Sequence, residues 1–384
     1  MMRTRSGKSR RFESRQFALT AVLLGGLLSL TASAIAAPIA APDIPTIKSA
    51  PEPRTVEQEI KLANDYFTGR GVAQDFGQSA YWFEKAAGAG DAQAQMQTGY
   101  FYEAGIGVPK DLERAAHWYQ LAASGGLATA KVNLGILYFW GTGVAKNEQL
   151  AAELFREGAA KGSGLAACYL GDMYFSGSGV RQDKAAGEQW FVKGAEMHDA
   201  QAEYNLGLLF FDRVDHAHDL RKAAVLLRES ADAGYVPAKY SLAVLLLRNP
   251  NLAKSDGEAT ALLNESANAG IWKSSMLLGV LARDGKGVPL DASAAYYHFR
   301  VATLQGGDEA KNLLAADIGR LLPGLSPEQT ALLDSAAKSW YGQHRNLLEF
   351  VYKGGDDRAR YPNYALAVPE DGSHTAQMLP NSSD

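Results

Sequence analysis

Four groups of residues have types and spacings that could support chemistry. Ser335-Ala-Ala-Lys338 matches the S-x-x-K of serine enzymes that react with β-lactams, where a lysine can assist the nucleophile. The chain lacks the S-D-N and K-T-G partners, and it contains no HExxH, GxSxG or GxxxxGK[ST], so Ser335 to Lys338 reads as an ordinary stretch of the last helix. Asp215-His216-Ala217-His218-Asp219 sets His-x-His between carboxylates, donors that suit a divalent metal. No third ligand is indicated, and a polar loop with Asp219 as a helix N-cap accounts for it; neither metal nor cofactor is expected. Cys168 is the single cysteine, which excludes an intramolecular disulfide and every zinc site built on two or more thiolates. The fourth group is a set of acidic residues, Asp75, Asp111, Asp183, Asp219 and Asp291, that could pass for catalytic carboxylates. They recur at multiples of 36 residues, and an active site has no reason to repeat. A non-enzyme is the expectation.

The elements that must position these residues share that period. A small residue stands at Ala63, Gly99, Gly135, Gly171, Gly207, Ala243, Gly279 and Ala315, each 36 residues after the last. Leucine precedes seven of the eight, and Tyr66, Tyr102, Tyr138, Tyr174 and Phe210 follow three residues on. That spacing places leucine, small residue and aromatic on one helical face, so each unit opens with an amphipathic helix A. Gly-x-Gly-Val then occurs at Gly69–Val72, Gly105–Val108, Gly141–Val144, Gly177–Val180 and Gly285–Val288, a turn in which glycine ends the helix. Asp75, Asp111, Asn147, Asp183, Asp219, Ser255, Asp291 and Ser326 are predicted N-caps of a helix B. Helix B carries Trp82-Phe83, Trp118-Tyr119, Leu154-Phe155, Trp190-Phe191, Leu226-Leu227, Leu262-Leu263 and His298-Phe299. One hairpin of this size cannot bury its aromatic face alone, so hairpins must stack. The column Gly99, Gly135, Gly171, Gly207 and Gly279 is expected to let helix A approach helix B, and Gly135→Leu is expected to cost ~1–3 kcal/mol by overpacking.

Leu134-Gly135-x-x-Tyr138, Gly141-x-Gly-Val144 and Ala159-Ala160-x-Gly162 resemble the signature of the Sel-one-like repeats (SLR), relatives of the tetratricopeptide repeats. The resemblance covers residues 57–344 as eight units starting near 57, 93, 129, 165, 201, 237, 273 and 309. It implies an all-α fold, a right-handed superhelical α-solenoid of eight 36-residue helix-turn-helix repeats. Units five and six depart from it, since Arg213-Val-Asp-His216 and Asn249-Pro-Asn-Leu252 replace the glycine turn, and unit eight is degenerate, as a capping unit should be. Some secreted, cysteine-rich members of the family are linked to β-lactam binding; this chain lacks their paired cysteines.

Outside the repeats, Arg3, Arg5, Lys8, Arg10, Arg11 and Arg15 precede an uncharged run from Phe17 to Leu30, and Ala34-Ile35-Ala36 is a small-x-small site. Residues 1–36 therefore read as a secretory signal peptide cleaved after Ala36, the alternative being an uncleaved anchor over Gln16 to Pro42. Residues 37–56 hold five prolines and read as an extended linker, and residues 345–384 as a mobile tail. The 384-residue chain has 38 Lys+Arg against 42 Asp+Glu; without residues 1–36 the balance is 32 against 41, a charge of -9. An acidic chain with no basic excess is not expected to bind nucleic acid, and after signal removal no membrane insertion is expected. The expected location is the periplasm or the extracellular space.

The face of helix A opposite its leucine and aromatic should be polar if merely solvated. It instead presents Tyr100, Ile136, Trp140, Tyr204, Leu208 and Tyr240, with Asp172 among them. The expected function is a non-enzymatic adaptor at the cell envelope or surface that takes a protein or peptide in a concave groove, with Tyr100, Ile136, Trp140 and Tyr204 as anchors and Asp172 as a polar selector. The alternatives are an envelope hydrolase or β-lactam-interacting enzyme, and a glycan-recognition module for which Trp140 would be a platform. The resemblance implies adaptor roles in envelope assembly, signalling or host contact.

Overall fold

The structure is a computed structural model; it describes residues 54–212 and 217–355, with side chains given over 54–212 and 219–344. The predicted signal peptide, most of the linker, the Asp215-His216 segment and residues 356–384 lie outside the described residues. The chain is all-α, with fifteen helices among those residues: α1 Val56–Thr68, α2 Phe76–Gly88, α3 Ala92–Ala104, α4 Leu112–Ser124, α5 Ala128–Trp140, α6 Glu148–Ala160, α7 Gly164–Ser176, α8 Lys184–Glu196, α9 Ala200–Asp212, α10 Ala217–Asp232, α11 Val236–Arg248, α12 Glu258–Asn268, α13 Trp272–Asp284, α14 Ala292–Leu321 and α15 Pro327–Gly355. Successive helices pair as antiparallel hairpins. The seven odd-numbered helices from α1 to α13 have 13 residues each and start 36 apart. In α14 the seventh B helix and the next A helix run together across Gly307, whose φ of 61° and ψ of -137° break the helical path. α15 continues beyond residue 344, so residues 346–352 extend the last helix. Two compact units divide between Met197 and His198.

Each predicted turn glycine, at 69, 105, 141, 177 and 285, is a left-handed C-cap with φ between 66° and 78°. The chain then doubles back so that the backbone N–H of the N-cap donates to helix A: Asp111 to the Tyr102 carbonyl at 2.8 Å, Asn147 to Tyr138 and Asp183 to Tyr174 at 2.9 Å. The cap side chains act as expected at Asp75, Asp111, Asn147, Asp183 and Asp291, and Ser326 forms a capping box with Gln329. Asp219 and Ser255 are corrections. α10 already begins at Ala217, which puts Asp219 inside its first turn, and α12 begins at Glu258 with Gly257 in the cap position. Both lie where the glycine turn is absent, so nothing holds helix B to the common start. In unit six a 3₁₀ turn over Pro250–Leu252 takes its place, and the Arg228 guanidinium holds it, reaching the Leu252 carbonyl at 3.4 Å and Glu258 at 2.9 Å.

Within each hairpin the small residue of helix A faces a large side chain twenty residues on in helix B. A Cβ at Gly99 would lie 2.7 Å from the Tyr119 ring, at Gly135 2.9 Å from Phe155 and at Gly279 2.5 Å from Phe299, while at Gly171 it would overlap Phe191. Those four aromatics are at most 1% exposed and form the interior of each hairpin. The glycine column therefore permits the close approach that the sequence predicts.

A second ladder joins the two helices 26 residues apart. Lys85 pairs with Glu59 at 2.8 Å, Lys131 with Glu157, and Lys239 with Glu265 at 2.5 Å. The fifth hairpin breaks the pattern with Glu203 facing Glu229, so burial and the Glu229 charge hold the Glu203 carboxyl above its usual range. His198 stands 3.8 Å from Glu203, at a φ of 56° where the other B–A turns have glycine at 90, 126, 162, 234 and 270. A raised carboxylate pKa makes the ionised form a destabilising one, a penalty absent in acid and imposed as the pH rises through that pKa. Glu229→Lys should therefore raise stability by ~1 kcal/mol at pH 7, with the gain fading in acid. Coincident urea unfolding curves for the two proteins at pH 7 would refute this.

Candidate functional site

Burial divides the predicted binding face, and the division follows how neighbouring A helices cover one another. Ile136 is 1% exposed, and Asp172 and Leu208 are 3% exposed. Leu208 on α9 joins a cluster with Leu242, Leu245 and Leu246 of α11. These three predicted contact residues are corrected to core positions, since they are too buried to meet a partner.

In the N-terminal unit the accessible members are Tyr100 on α3 and Trp140 at the end of α5, both half-buried. Trp140 meets Phe139 edge to face at 4.8 Å, which fixes its indole at the helix end. Tyr100 lies beside Glu103, and burial together with that carboxylate pushes its phenol up. Beneath it the fully buried Tyr119 donates to Glu103 Oε2 at 2.6 Å, a bond that locks the Tyr119 ring against Gly99.

In the C-terminal unit Tyr204 on α9 is half-buried, 5.1 Å from the Tyr235 ring, and burial pushes its phenol up. Tyr240 on α11, predicted as a contact residue, is also corrected to the core: it is 8% exposed within the cluster around Met276, and burial raises its phenol. Phe211 lies at the end of α9 with the Arg248 guanidinium 5.8 Å from its ring centroid. Arg248 is exposed and was not among the residues expected from sequence. It occupies the repeat position of Trp140, three turns of the 36-residue period later, and that shared position is the signal that could have found it.

Ser335 and Lys338 are both exposed on α15, away from any enclosed surface, and Cys168 is fully buried on α7. Among the described residues no group of three or more His, Cys, Asp and Glu is placed to hold a metal, and no helix is long and apolar enough to cross a membrane. The His216 and His218 side chains lie outside the described residues.

The Sel1 repeat matches this chain at residues 59–91, 92–127, 128–163, 164–199, 200–235 and 273–307. The interval left between 235 and 273 is the hairpin of α11 and α12, where Asn249-Pro250 has replaced the glycine turn. Among solved structures, a Sel1 repeat protein from Oxalobacter formigenes is 28% identical, with a TM-score of 0.52, over 56% of this chain and 88% of that one. A protective antigen of uropathogenic Escherichia coli strains displaying an SLR fold is 22% identical over 78% of this chain and 79% of that one, with a TM-score of 0.38. An immunity protein from Pseudomonas aeruginosa is 19% identical over 55% of this chain and 77% of that one, with a TM-score of 0.37. No curated protein matches significantly. With six matched repeats spanning more than half of its length, on the hairpins and glycine turns just described, the chain belongs to the Sel1 repeat family.

Proposed function

We propose that this protein is an exported, non-enzymatic scaffold of eight hairpins that binds a protein or peptide partner on the face of its odd-numbered helices, at the cell envelope or cell surface. The observation that carries this reading is the placement of Tyr100, Trp140 and Tyr204. Tyr100 and Tyr204 pack on the edge of the core clusters and Trp140 stands at a helix end, and all three keep part of their rings accessible on the odd-numbered helices. Rigid aromatic side chains on an ordered helix lose little entropy on contact and supply most of the energy where partners meet.

As bait in an envelope extract, the Tyr100→Ala/Trp140→Ala protein should recover about tenfold less partner than the wild type, with an unchanged circular dichroism spectrum. Undiminished recovery removes the proposal. Export is supported by the basic, apolar and small-x-small succession of residues 1–36, and the mature protein should begin at Ala37. A first residue of Met1 on the exported protein would count against cleavage.

A further inference from the structure

We infer that the α9–α11 face of the C-terminal unit takes an acidic peptide, with a peptide carboxylate on Arg248 and an adjoining apolar side chain on Phe211 and Tyr204. This rests on the partner-binding reading above and names the chemistry of the partner.

Four arginines of this unit show how the fold employs a guanidinium. Arg228 lies 2.9 Å from Glu258, Arg283 2.6 Å from both Asp284 and Asp317, Arg300 2.6 Å from Asp334, and Arg320 3.6 Å from Asp317. Each is bound by a carboxylate of the same unit and ties two of its elements or a helix end together. Arg248, like the exposed Arg221, is not so bound, but it lies beside an aromatic ring. Among the described residues no carboxylate lies within ion-pairing distance of it, its side chain is exposed, and it lies near the Phe211 ring and the Tyr240 phenol.

Its position as the last residue of α11 explains a cation there, since the helix C-terminus carries partial negative charge. It does not explain a guanidinium 5.8 Å from an aromatic ring centroid. With no carboxylate beside it, its N–H donors are open to two parallel hydrogen bonds with a ligand carboxylate. The surroundings are apolar: Phe211 packs against the cluster that contains Tyr240, Val244 and Met276, and Tyr204 stands on the same helix as Phe211. An ion pair formed against such a surface is less screened than one in open water. Charge complementarity thus selects an acidic occupant, and the rings beside it select an apolar neighbour in the same peptide.

The test is to pan a random short-peptide display library on the purified full chain, then to measure the enriched peptides as fluorescein-labelled probes by fluorescence polarisation. Enriched sequences should contain Asp or Glu next to an aromatic or aliphatic residue. Arg248→Glu should weaken their binding about tenfold or more, Arg248→Lys less, and replacement of the peptide's acid by its amide should reproduce the loss on the wild type. Because Arg248 is exposed, circular dichroism of both variants should match the wild type. Enriched peptides without acids, or acidic peptides that bind Arg248→Glu as well as wild type, overturn the inference. If those same peptides lose affinity for Tyr100→Ala/Trp140→Ala, the partner-binding reading survives that result. Enrichment of no peptide at all removes both.

Discussion

Gly143→Ala is expected to destabilise the N-terminal unit by ~3 kcal/mol or more, whereas Gly287→Ala should cost only ~1 kcal/mol. Both glycines hold the second place of the Gly-x-Gly-Val turn, with φ of 71° and 69°, so a left-handed alanine is equally strained in each. Their surroundings differ. A Cβ at Gly143 would overlap the carbonyl of Leu112, the first residue of α4, so the third hairpin's turn sits directly on the second hairpin's B helix. The same seat occurs at Gly107 on Phe76 and at Gly179 on Glu148, each 31 residues back. Backbone cannot step aside as a side chain can, so adjacent hairpins must separate and give up apolar burial. At Gly287 the seat is missing: nothing lies within 4 Å, because the preceding hairpin lost its glycine turn and α12 starts elsewhere. Urea unfolding of the two variants separates the contact from the strain, and equal losses would show that the turn does not join hairpins.

Gly99→Ala is the second large effect, a net loss of ~2 kcal/mol, against a change near zero for Gly207→Ala. Alanine in place of a mid-helix glycine is worth ~1 kcal/mol in its own right, so each outcome depends on what the new methyl meets. At Gly99 it meets Tyr119 at 2.7 Å, and that ring cannot swing away without breaking its hydroxyl's hydrogen bond to Glu103. At Gly207 it meets Leu227 at 3.0 Å, a side chain with other rotamers and no polar tether. Phenylalanine at 119 should lessen the cost of Gly99→Ala by releasing the ring, and thermal unfolding of the double variant gives the coupling. Identical losses at positions 99 and 207 would refute the locked-ring account.

The hairpins were legible in sequence because their chemistry leaves few alternatives. A left-handed helix end needs glycine, exposed N–H groups at a helix start need an Asp, Asn or Ser acceptor, and a close helix pair needs a small residue opposite a large one. All three recur every 36 residues, and the structure uses them so at Gly105, Asp111 and Gly99. Where that chemistry is lost, at Asn249-Pro250, the sequence no longer locates the helix start, and Ser255 falls short of the cap by two residues. The binding face was half legible. A projection at 100° per residue shows which way Ile136, Asp172 and Leu208 point, but not that they are buried, as Leu208 is beneath α11. Tyr100 shares the repeat position of those three residues and Tyr204 that of Tyr240, yet both are only half-buried, as is Trp140 at a helix end. Arg248 was missed because a lone cation in a mostly apolar pattern looks like solvent-facing charge; the repeat position it shares with Trp140 and its place beside Phe211 distinguish it.

The central claim is that the odd-numbered helices carry the partner surface. Site-specific photo-crosslinking tests it most directly, with benzoylphenylalanine placed in turn at Tyr100, Trp140 and Tyr204, and at Tyr81 and Val225, which are 52% and 51% exposed on even-numbered helices. Irradiation in cells should give discrete adducts from positions 100, 140 and 204 and none from 81 and 225. Adducts confined to 81 and 225 would contradict the account and move the binding surface to the opposite helices.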